Sequence, residues 1–292
     1  NNRQAVNLFI LEPMLHFIFG LWATYIVLSY FEKDDYIKIT KVICLSSLLI
    51  SSIGILQVFG LDIFGKIARY NHPSRICVFL DNPNIVGNYL CLTLPFFLLK
   101  ENRRFIVGLI LAIIGIILTK SELSIACAIV GIIVYLLLVN RHIITRIAIS
   151  LFVLSSGLWI FLNQKLVIGF MSNRLSLWKM AWIKFKDNPI FGQGLGIFKT
   201  WELVNIPDAK ALAAHNDWLE IAIMLGVLGL GLLLAIIINS VIKFNYKIDN
   251  RVGFSYFASF ITFLFLMLGS FPLEVAPLAL FGLLNWWGTE TL

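Results

Sequence analysis

Long apolar runs recur along the whole sequence, and they constrain its fold more than any other feature. The runs lie at about residues 14–31, 38–60, 84–99, 104–119, 122–139, 147–162, 217–241, 253–271 and 273–288. A helix that crosses a bilayer needs roughly 20 apolar residues, and only helices or closed barrels satisfy all their backbone groups in lipid. The runs are too long and unbroken for barrel strands. The sequence therefore predicts an all-α, polytopic membrane bundle of about nine spans.

The composition agrees with a membrane protein. Of the 292 residues, 59% are hydrophobic and 13% are charged, and the mean hydropathy is +0.89. Soluble domains are about half apolar and about a quarter charged, so a water-soluble core could not bury this much apolar surface. The sequence contains no clear repeat or low-complexity linker, so we expect a single integral membrane domain over residues 1–292. Because the chain starts at Asn1 without a signal-like segment, we also expect further spans to precede it.

The charges of the short loops predict how the bundle is oriented. Basic residues concentrate in four alternate loops, at 32–40, 100–104, 140–146 and 243–251. By the positive-inside rule these loops face the cytoplasm. The segments 60–82, 120–122 and 163–216 then share the extracytoplasmic face. Since ATP and nucleotide sugars are cytoplasmic, an enzyme working on that face would need a preactivated substrate delivered within the membrane.

Several classes of function are disfavoured by the same sequence. The net charge of +7 reflects topology first, and its basic residues form no stripe, so a nucleic-acid partner is not expected. The four cysteines are solitary and show neither C-x-x-C nor metal-ligand spacing: Cys44, Cys77, Cys91 and Cys127. We therefore expect no disulfide, no metal and no cofactor.

The longest polar interruption, residues 163–216, holds the first candidate site residue, Arg174. Within 172–186 the spacing predicts a helix in the membrane interface, with Leu175, Trp178, Trp182 and Phe185 on one face and Lys179, Lys184 and Lys186 turned elsewhere. Arg174 is expected at the N-terminal end of that helix, where the macrodipole disfavours a cation unless an anion is nearby. A guanidinium is a natural bidentate clamp for a diphosphate. A basic surface helix that contacts lipid headgroups is the alternative.

Two further features follow in the same stretch. After Asn188-Pro189, the run Gly192-Gln-Gly-Leu-Gly196 predicts a flexible turn; it lacks the preceding strand and the GK[ST] ending of a phosphate-binding loop. His215 stands where the loop becomes a span, and an imidazole suits proton transfer near neutral pH. A structural role at the mouth of the span is the alternative for His215. Asp217 and Glu220, just beyond it, favour the N-terminus of the new helix.

The other expected outer segments supply two more cations. Arg75 precedes Asn82-Pro83-Asn84, where Asn84 is expected to cap a span. Arg75 could contact an anion or snorkel to headgroups. Lys120 and Glu122 lie at a short hairpin, and they could pair with one another or contribute to a site.

These motifs together resemble the O-antigen ligase and polymerase family. The resemblance rests on Arg174 in an aromatic helix, on Pro189-Ile-Phe-Gly-Gln-Gly-Leu-Gly196, on Ala214-His-Asn-Asp-Trp-Leu-Glu220, and on Leu225-Gly-Val-Leu-Gly229. Upstream, Arg75 with Asn82-Pro83-Asn84, a span containing Leu94-Pro95, and Leu118-Thr-Lys-Ser121 are also similar. The matching motifs cover about residues 70–240.

The resemblance implies a metal-independent membrane glycosyltransferase of the C-type architecture, in a bacterial inner membrane. Such an enzyme moves a glycan from an undecaprenyl-diphosphate carrier to an acceptor, either another glycan or a lipid core, on the extracytoplasmic face. By the same resemblance Arg174 would hold the carrier diphosphate, and His215 would be the general base for the acceptor hydroxyl.

One residue departs from the family pattern. The family usually continues the Leu-Thr-x-Ser element with arginine, and this chain has Glu122 there. A carboxylate cannot clamp a phosphate, so Lys120 or Arg75 would have to replace that cation. A transporter or flippase of lipid-linked anions is the main alternative, and it would need polar residues through the middle of the spans. A membrane scaffold with substitution-tolerant outer loops is a third possibility.

Overall fold

The computed structural model describes residues 19, 22, 26, 30–61, 74–80, 82–99, 103–140, 164–194, 214–244, 250–270, 272–273 and 275–291. Every regular element within these residues is an α-helix. In chain order they are α1 (Lys33–Val58), α2 (Pro83–Phe97), α3 (Arg103–Thr119), α4 (Glu122–Val139), α5 (Gln164–Asp187), α6 (Asp217–Lys243), α7 (Arg251–Leu266) and α8 (Ala276–Thr291).

Seven of the predicted runs correspond to helices of this set. The run at 147–162 and most of the run at 14–31 lie outside the described residues. Three described helices, α1, α4 and α6, are long and apolar enough to cross a membrane, and α3 and α7 are shorter apolar helices. This confirms a helical membrane protein, while the expected number of nine spans stays a prediction.

The chain divides into two compact units. The larger unit contains α1 to α4, α7 and α8, and it is organised around α2. Of the 15 residues of α2, 12 are buried, because α1, α3, α4 and α7 all pack against it. Its residues are accordingly mostly apolar on every side.

Short polar side chains join the neighbouring helices to α2. Ser47 of α1 shares a 2.8 Å hydrogen bond with Thr93, and Ser259 of α7 donates to the carbonyl of Leu92 at 2.7 Å. Ser124 of α4 donates to the Asn88 side chain at 2.8 Å. Such small hydroxyls hold helices together where lipid offers no hydrophobic driving force. The interior of this unit is thus more polar than the apolar runs suggested.

The start of α2 corrects a predicted cap. The N-cap is Asn82, whose side chain accepts from the backbone N–H of Asn84 at 2.9 Å, with Pro83 as the first helical residue. Proline favours this position because its missing N–H would have no partner in the first turn. The Asn84 side chain is therefore available for another contact, described below.

The smaller unit contains α5, α6 and residues 267–270. Helix α5 packs on α6 through a small apolar cluster of Ala181, Ala214 and Ile223, with Phe185 and Leu219 against it. Helix α6 is broken at Gly226, where φ is 67° and ψ is −171°. The apolar run predicted as one span is therefore two helical pieces in sequence.

Candidate active site

Arg174 lies in the middle of α5 and not at its start. The helix begins at Gln164, ten residues earlier, so the expected position at the N-terminal end is wrong. The macrodipole argument for a bound anion fails with it, because that effect is confined to the first turn. Arg174 is half-buried and lies on the same face as the buried Leu177 and Ala181. Its side chain is therefore on the face of α5 that packs against the rest of this unit.

The opposite face of α5 combines apolar and basic side chains. Trp182 is 50% exposed, Lys186 places its Nζ 5.9 Å from the centre of the Trp182 ring, and Leu175 and Lys179 are exposed on the same side. Lys186 was expected to turn away from the aromatic residues, and its contact with Trp182 shows that this is wrong. A cation beside an exposed indole suits a water–lipid boundary.

The aromatic residues predicted for one face of α5 differ in exposure, and two of them, Trp182 and Phe185, stack with 5.2 Å between ring centroids. Trp178, four residues after Arg174, is half-buried, and its indole Nε1–H donates to the carbonyl of Ala214 at 3.1 Å. Residues four apart are neighbours on a helix surface. Because Ala214 directly precedes His215, this bond brings Arg174 and His215 to the same part of the unit.

His215 adopts an unusual backbone conformation in front of α6. Its φ is +52°, in the left-handed region that non-glycine residues seldom occupy. On its N-terminal side, the N–H of Ala214 donates to the carboxylate of Glu220. On its C-terminal side, Asn216 caps α6, since its side chain accepts from the N–H of Leu219 at 3.1 Å. His215 is half-buried between these two fixed points.

Two buried carboxylates stand in the first turn of α6, as the sequence predicted. Asp217 is 2% exposed and Glu220 is 3% exposed. The backbone N–H of Asp217 donates to the carbonyl of Met267 at 2.9 Å, which anchors the helix start to residues 267–270. Negative charge at this end of a helix is favourable. Glu220 also accepts a hydrogen bond from the backbone N–H of Ala214, so its role is not limited to the charge at the start of the helix.

The turn after α5 is bound into the break of α6. The N–H groups of Gln193 and Gly194 donate to the carbonyls of Ile223 and Met224, at 2.8 and 3.1 Å. In return, the carbonyls of Pro189 and Ile190 accept from Val227 and Leu228, at 2.8 and 3.4 Å. The described part of the predicted flexible turn, up to Gly194, is therefore a fixed element. These bonds satisfy backbone groups that the break at Gly226 leaves without helical partners.

Arg75 and Lys120 belong to the larger unit. Arg75 donates from Nε to the carbonyl of Thr119 and from Nη2 to the Asn84 side chain at 2.6 Å. Burial lowers the pKa of the Arg75 guanidinium, and the negative charge of Glu122 opposes that shift. Lys120 is exposed in a turn with φ of +51°. Among the described residues, neither Lys120 nor Glu122 forms an ion pair, so the pair considered from the sequence is not made.

Some supports of this site were not foreseen from the sequence. Trp178 was interpreted as a membrane-facing aromatic, Glu220 as a helix-start charge, and Gly226 as part of a continuous span. Their contacts join residues that are between 6 and 36 positions apart, which helical periodicity cannot reveal. Among the described residues no group of three His, Cys, Asp or Glu side chains could hold a metal ion.

The sequence of this protein was compared with known proteins and protein families. No curated protein matches this chain in sequence. Residues 107–234 match the family model described as O-Antigen ligase. The matched segment contains Lys120, Arg174, His215 and Glu220, and Arg75 lies before it. Residues 107–234 are thus similar to the O-antigen ligase family, which confirms the resemblance drawn from the sequence motifs.

Proposed function

We propose that this protein transfers a glycan from an undecaprenyl-diphosphate carrier to an acceptor sugar on the extracytoplasmic face of a bacterial inner membrane. The match of residues 107–234 to the O-antigen ligase family model supports glycosyl transfer of the ligase or polymerase type in general. The observation that carries the specific proposal is the hydrogen bond from Trp178 to Ala214. It joins α5, four residues after Arg174, to the residue preceding His215, and this supports a site that contains both the guanidinium and the imidazole.

The proposed chemistry follows from these two groups. A hydroxyl of the acceptor attacks the anomeric carbon of the donor sugar, the bond from that carbon to the diphosphate oxygen breaks, and undecaprenyl diphosphate leaves. The imidazole of His215 takes the proton of the acceptor hydroxyl. The guanidinium of Arg174 stabilises the negative charge on the departing diphosphate. The donor is already activated, so neither ATP nor a cofactor is needed.

Arg75 and Lys120 are proposed as additional contacts to the carrier diphosphate, in place of the family arginine that is Glu122 here. Lys120 suits this role better, because its side chain is exposed. Two of the donor groups of Arg75 already bind Thr119 and Asn84. We also propose that transfer is independent of metal, so that it persists in excess EDTA.

Substitution of the two central residues tests the proposal. With the purified full chain and undecaprenyl-diphosphate-linked glycan extracted from its own membrane, His215→Ala should lower kcat by about 10²- to 10⁴-fold, the usual contribution of a general base. Arg174→Ala should lower kcat/KM for the donor by about 10- to 100-fold through lost charge-assisted hydrogen bonds. Arg174→Lys should recover part of this loss, because it restores the charge without the bidentate geometry.

Lys179→Ala is the matched control, since Lys179 lies on the exposed face of the same helix. It should transfer glycan at the rate of the unsubstituted protein. If His215→Ala and Arg174→Ala also keep that rate, the proposed mechanism is wrong.

A further inference from the structure

The backbone of Ala214 is held by side chains on both of its polar groups. Its N–H donates to the Glu220 carboxylate, and its carbonyl accepts from the Trp178 indole. Ala214 is fully buried and Glu220 is 3% exposed. The Glu220 side-chain oxygen can accept this bond in either protonation state, and exclusion of water strengthens the bond. One residue is thus fixed by two bonds that come from two different helices.

The next residue, His215, needs such support. A φ of +52° is unfavourable for a side chain with a Cβ, and it persists where the surroundings determine it. The bonds to Ala214 fix the chain before His215. The capping bond of Asn216 and the bond from Asp217 to Met267 fix the chain after it. The imidazole is therefore carried by a backbone that has little freedom to turn.

We propose that Glu220 and Trp178 are positioning residues for His215, an inference that rests on the proposed function. Neither needs to touch the substrate. Glu220 acts as an acceptor for one backbone N–H, and Trp178 acts as a donor to one carbonyl. Together they hold the imidazole where it can reach the acceptor hydroxyl, and a base displaced by about 1 Å can lose roughly 10²-fold in rate.

Three variants of the full chain, purified in detergent, test this role with undecaprenyl-diphosphate-linked glycan as donor. Glu220→Ala removes the acceptor and should lower kcat by about 10- to 100-fold, while the KM for the donor stays within about 3-fold. Glu220→Gln keeps a side-chain oxygen that can accept from Ala214, and it should recover most of the lost kcat. Trp178→Phe keeps the ring and removes the N–H, and it should lower kcat by about 3- to 10-fold.

Two controls match these changes. Trp182→Phe alters an exposed indole one turn further along α5, and Asp187→Ala removes an exposed carboxylate at the end of that helix. Both should keep the kcat and KM of the unsubstituted protein. A general loss of folded protein would lower the yield of monodisperse material, and Trp178→Phe and Glu220→Gln should not show it.

The outcomes separate this inference from the proposed function. If His215→Ala loses transfer but Glu220→Ala and Trp178→Phe keep normal kcat, the positioning role is overturned and the function stands. If Glu220→Gln is as impaired as Glu220→Ala, the hydrogen bond that Glu220 accepts from Ala214 is not what the side chain contributes, and the proposed role of Glu220 is wrong. If His215→Ala itself keeps normal transfer, His215 is not the base, and the positioning role of Glu220 and Trp178 fails with it. The proposed function fails if the unsubstituted protein transfers no glycan from this donor.

Discussion

At the scale of single residues, the contacts of Arg75 indicate what this cation does in the protein. Arg75 was expected either to bind an anion or to snorkel to headgroups. Its guanidinium instead joins residues from three segments, since it reaches the carbonyl of Thr119 at the end of α3 and the side chain of Asn84 at the start of α2. A nearby backbone bond from Ile76 to Leu118, at 3.3 Å, reinforces the same junction. Arg75 is thus first of all part of the structure.

Substitution of Arg75 should therefore reduce stability. Arg75→Ala leaves a buried carbonyl and an amide oxygen without their donor, and it should lower the free energy of unfolding by about 1–3 kcal/mol. Arg75→Lys should recover little, because one ammonium group cannot reproduce two directed bonds. Thermal unfolding in detergent measures both changes.

The exposed Lys41 supplies the control for charge alone, and Lys41→Ala should unfold at the temperature of the unsubstituted protein. An Arg75→Ala variant that unfolds normally would contradict the structural role. A loss of donor affinity in such a variant would support the proposed contact of Arg75 with the diphosphate.

The identity of the candidate residues could be predicted from the sequence, but their surroundings could not. Arg174 and His215 stood out as chemically capable residues in the long polar interruption. The start of α5 was misplaced because Ser172 and Asn173 are typical of helix caps, yet the apolar residues before them continue the helix. The contacts of Trp178 and Glu220 depend on tertiary packing, which local propensity does not encode.

At the scale of elements, the apolar runs located the described helices of the larger unit and missed the break in α6. The hydropathy of 217–241 is continuous through Gly226, so nothing in its pattern indicates an interruption. The break exists because the turn at 189–194 supplies backbone partners for it. Gly226 also has φ and ψ values that are essentially restricted to glycine.

The close approach of two backbones at this break requires two glycines. A Cβ on Gly226 would collide with the carbonyl of Ile190, and a Cβ on Gly192 would lie 2.5 Å from the backbone nitrogen of Leu225. Gly226→Ala should therefore destabilise the protein by at least about 1–3 kcal/mol from backbone strain alone. It should also lower transfer, because α6 carries the support of His215. Thermal unfolding and the transfer assay measure the two effects.

Gly231 offers a control on the same helix. A Cβ there meets no atom within 4 Å, and Gly231→Ala should leave stability unchanged or raise it by up to about 1 kcal/mol. If Gly226→Ala behaves in the same way, the break and its docked turn are not a structural requirement.

At the scale of the whole molecule, polar groups do occur inside the described part of the larger unit, but the buried ones are uncharged, and this argues for the enzyme over the transporter. The interior of the larger unit contains Ser, Thr and Asn side chains, several of them hydrogen-bonded between helices. In α1, α4 and α6 the charged residues stand towards the helix ends. Ion pathways through membranes depend on ionisable groups along the spans. Uncharged groups that bind one another are instead typical of helix packing.

The proposed function requires that residues 163–216 lie on the extracytoplasmic face, so the orientation of the chain in the membrane can test it. The positive-inside rule places Lys38 in the cytoplasm and Asp187 on the opposite side. Both side chains are accessible, with 74% of Lys38 and 56% of Asp187 exposed. The four native cysteines are all buried. Single cysteines at these two positions can therefore be labelled above a low background.

In intact spheroplasts, a membrane-impermeant maleimide should label Asp187→Cys and leave Lys38→Cys unlabelled. After permeabilisation both variants should react, which shows that each thiol is accessible, while the unsubstituted protein should react weakly throughout. The reverse pattern would place the 163–216 stretch in the cytoplasm, where a lipid-linked donor presented on the outer leaflet could not reach Arg174 and His215. Labelling of both variants in intact spheroplasts would contradict the positive-inside assignment of the segment at the start of α1, because the two sites would then share one face.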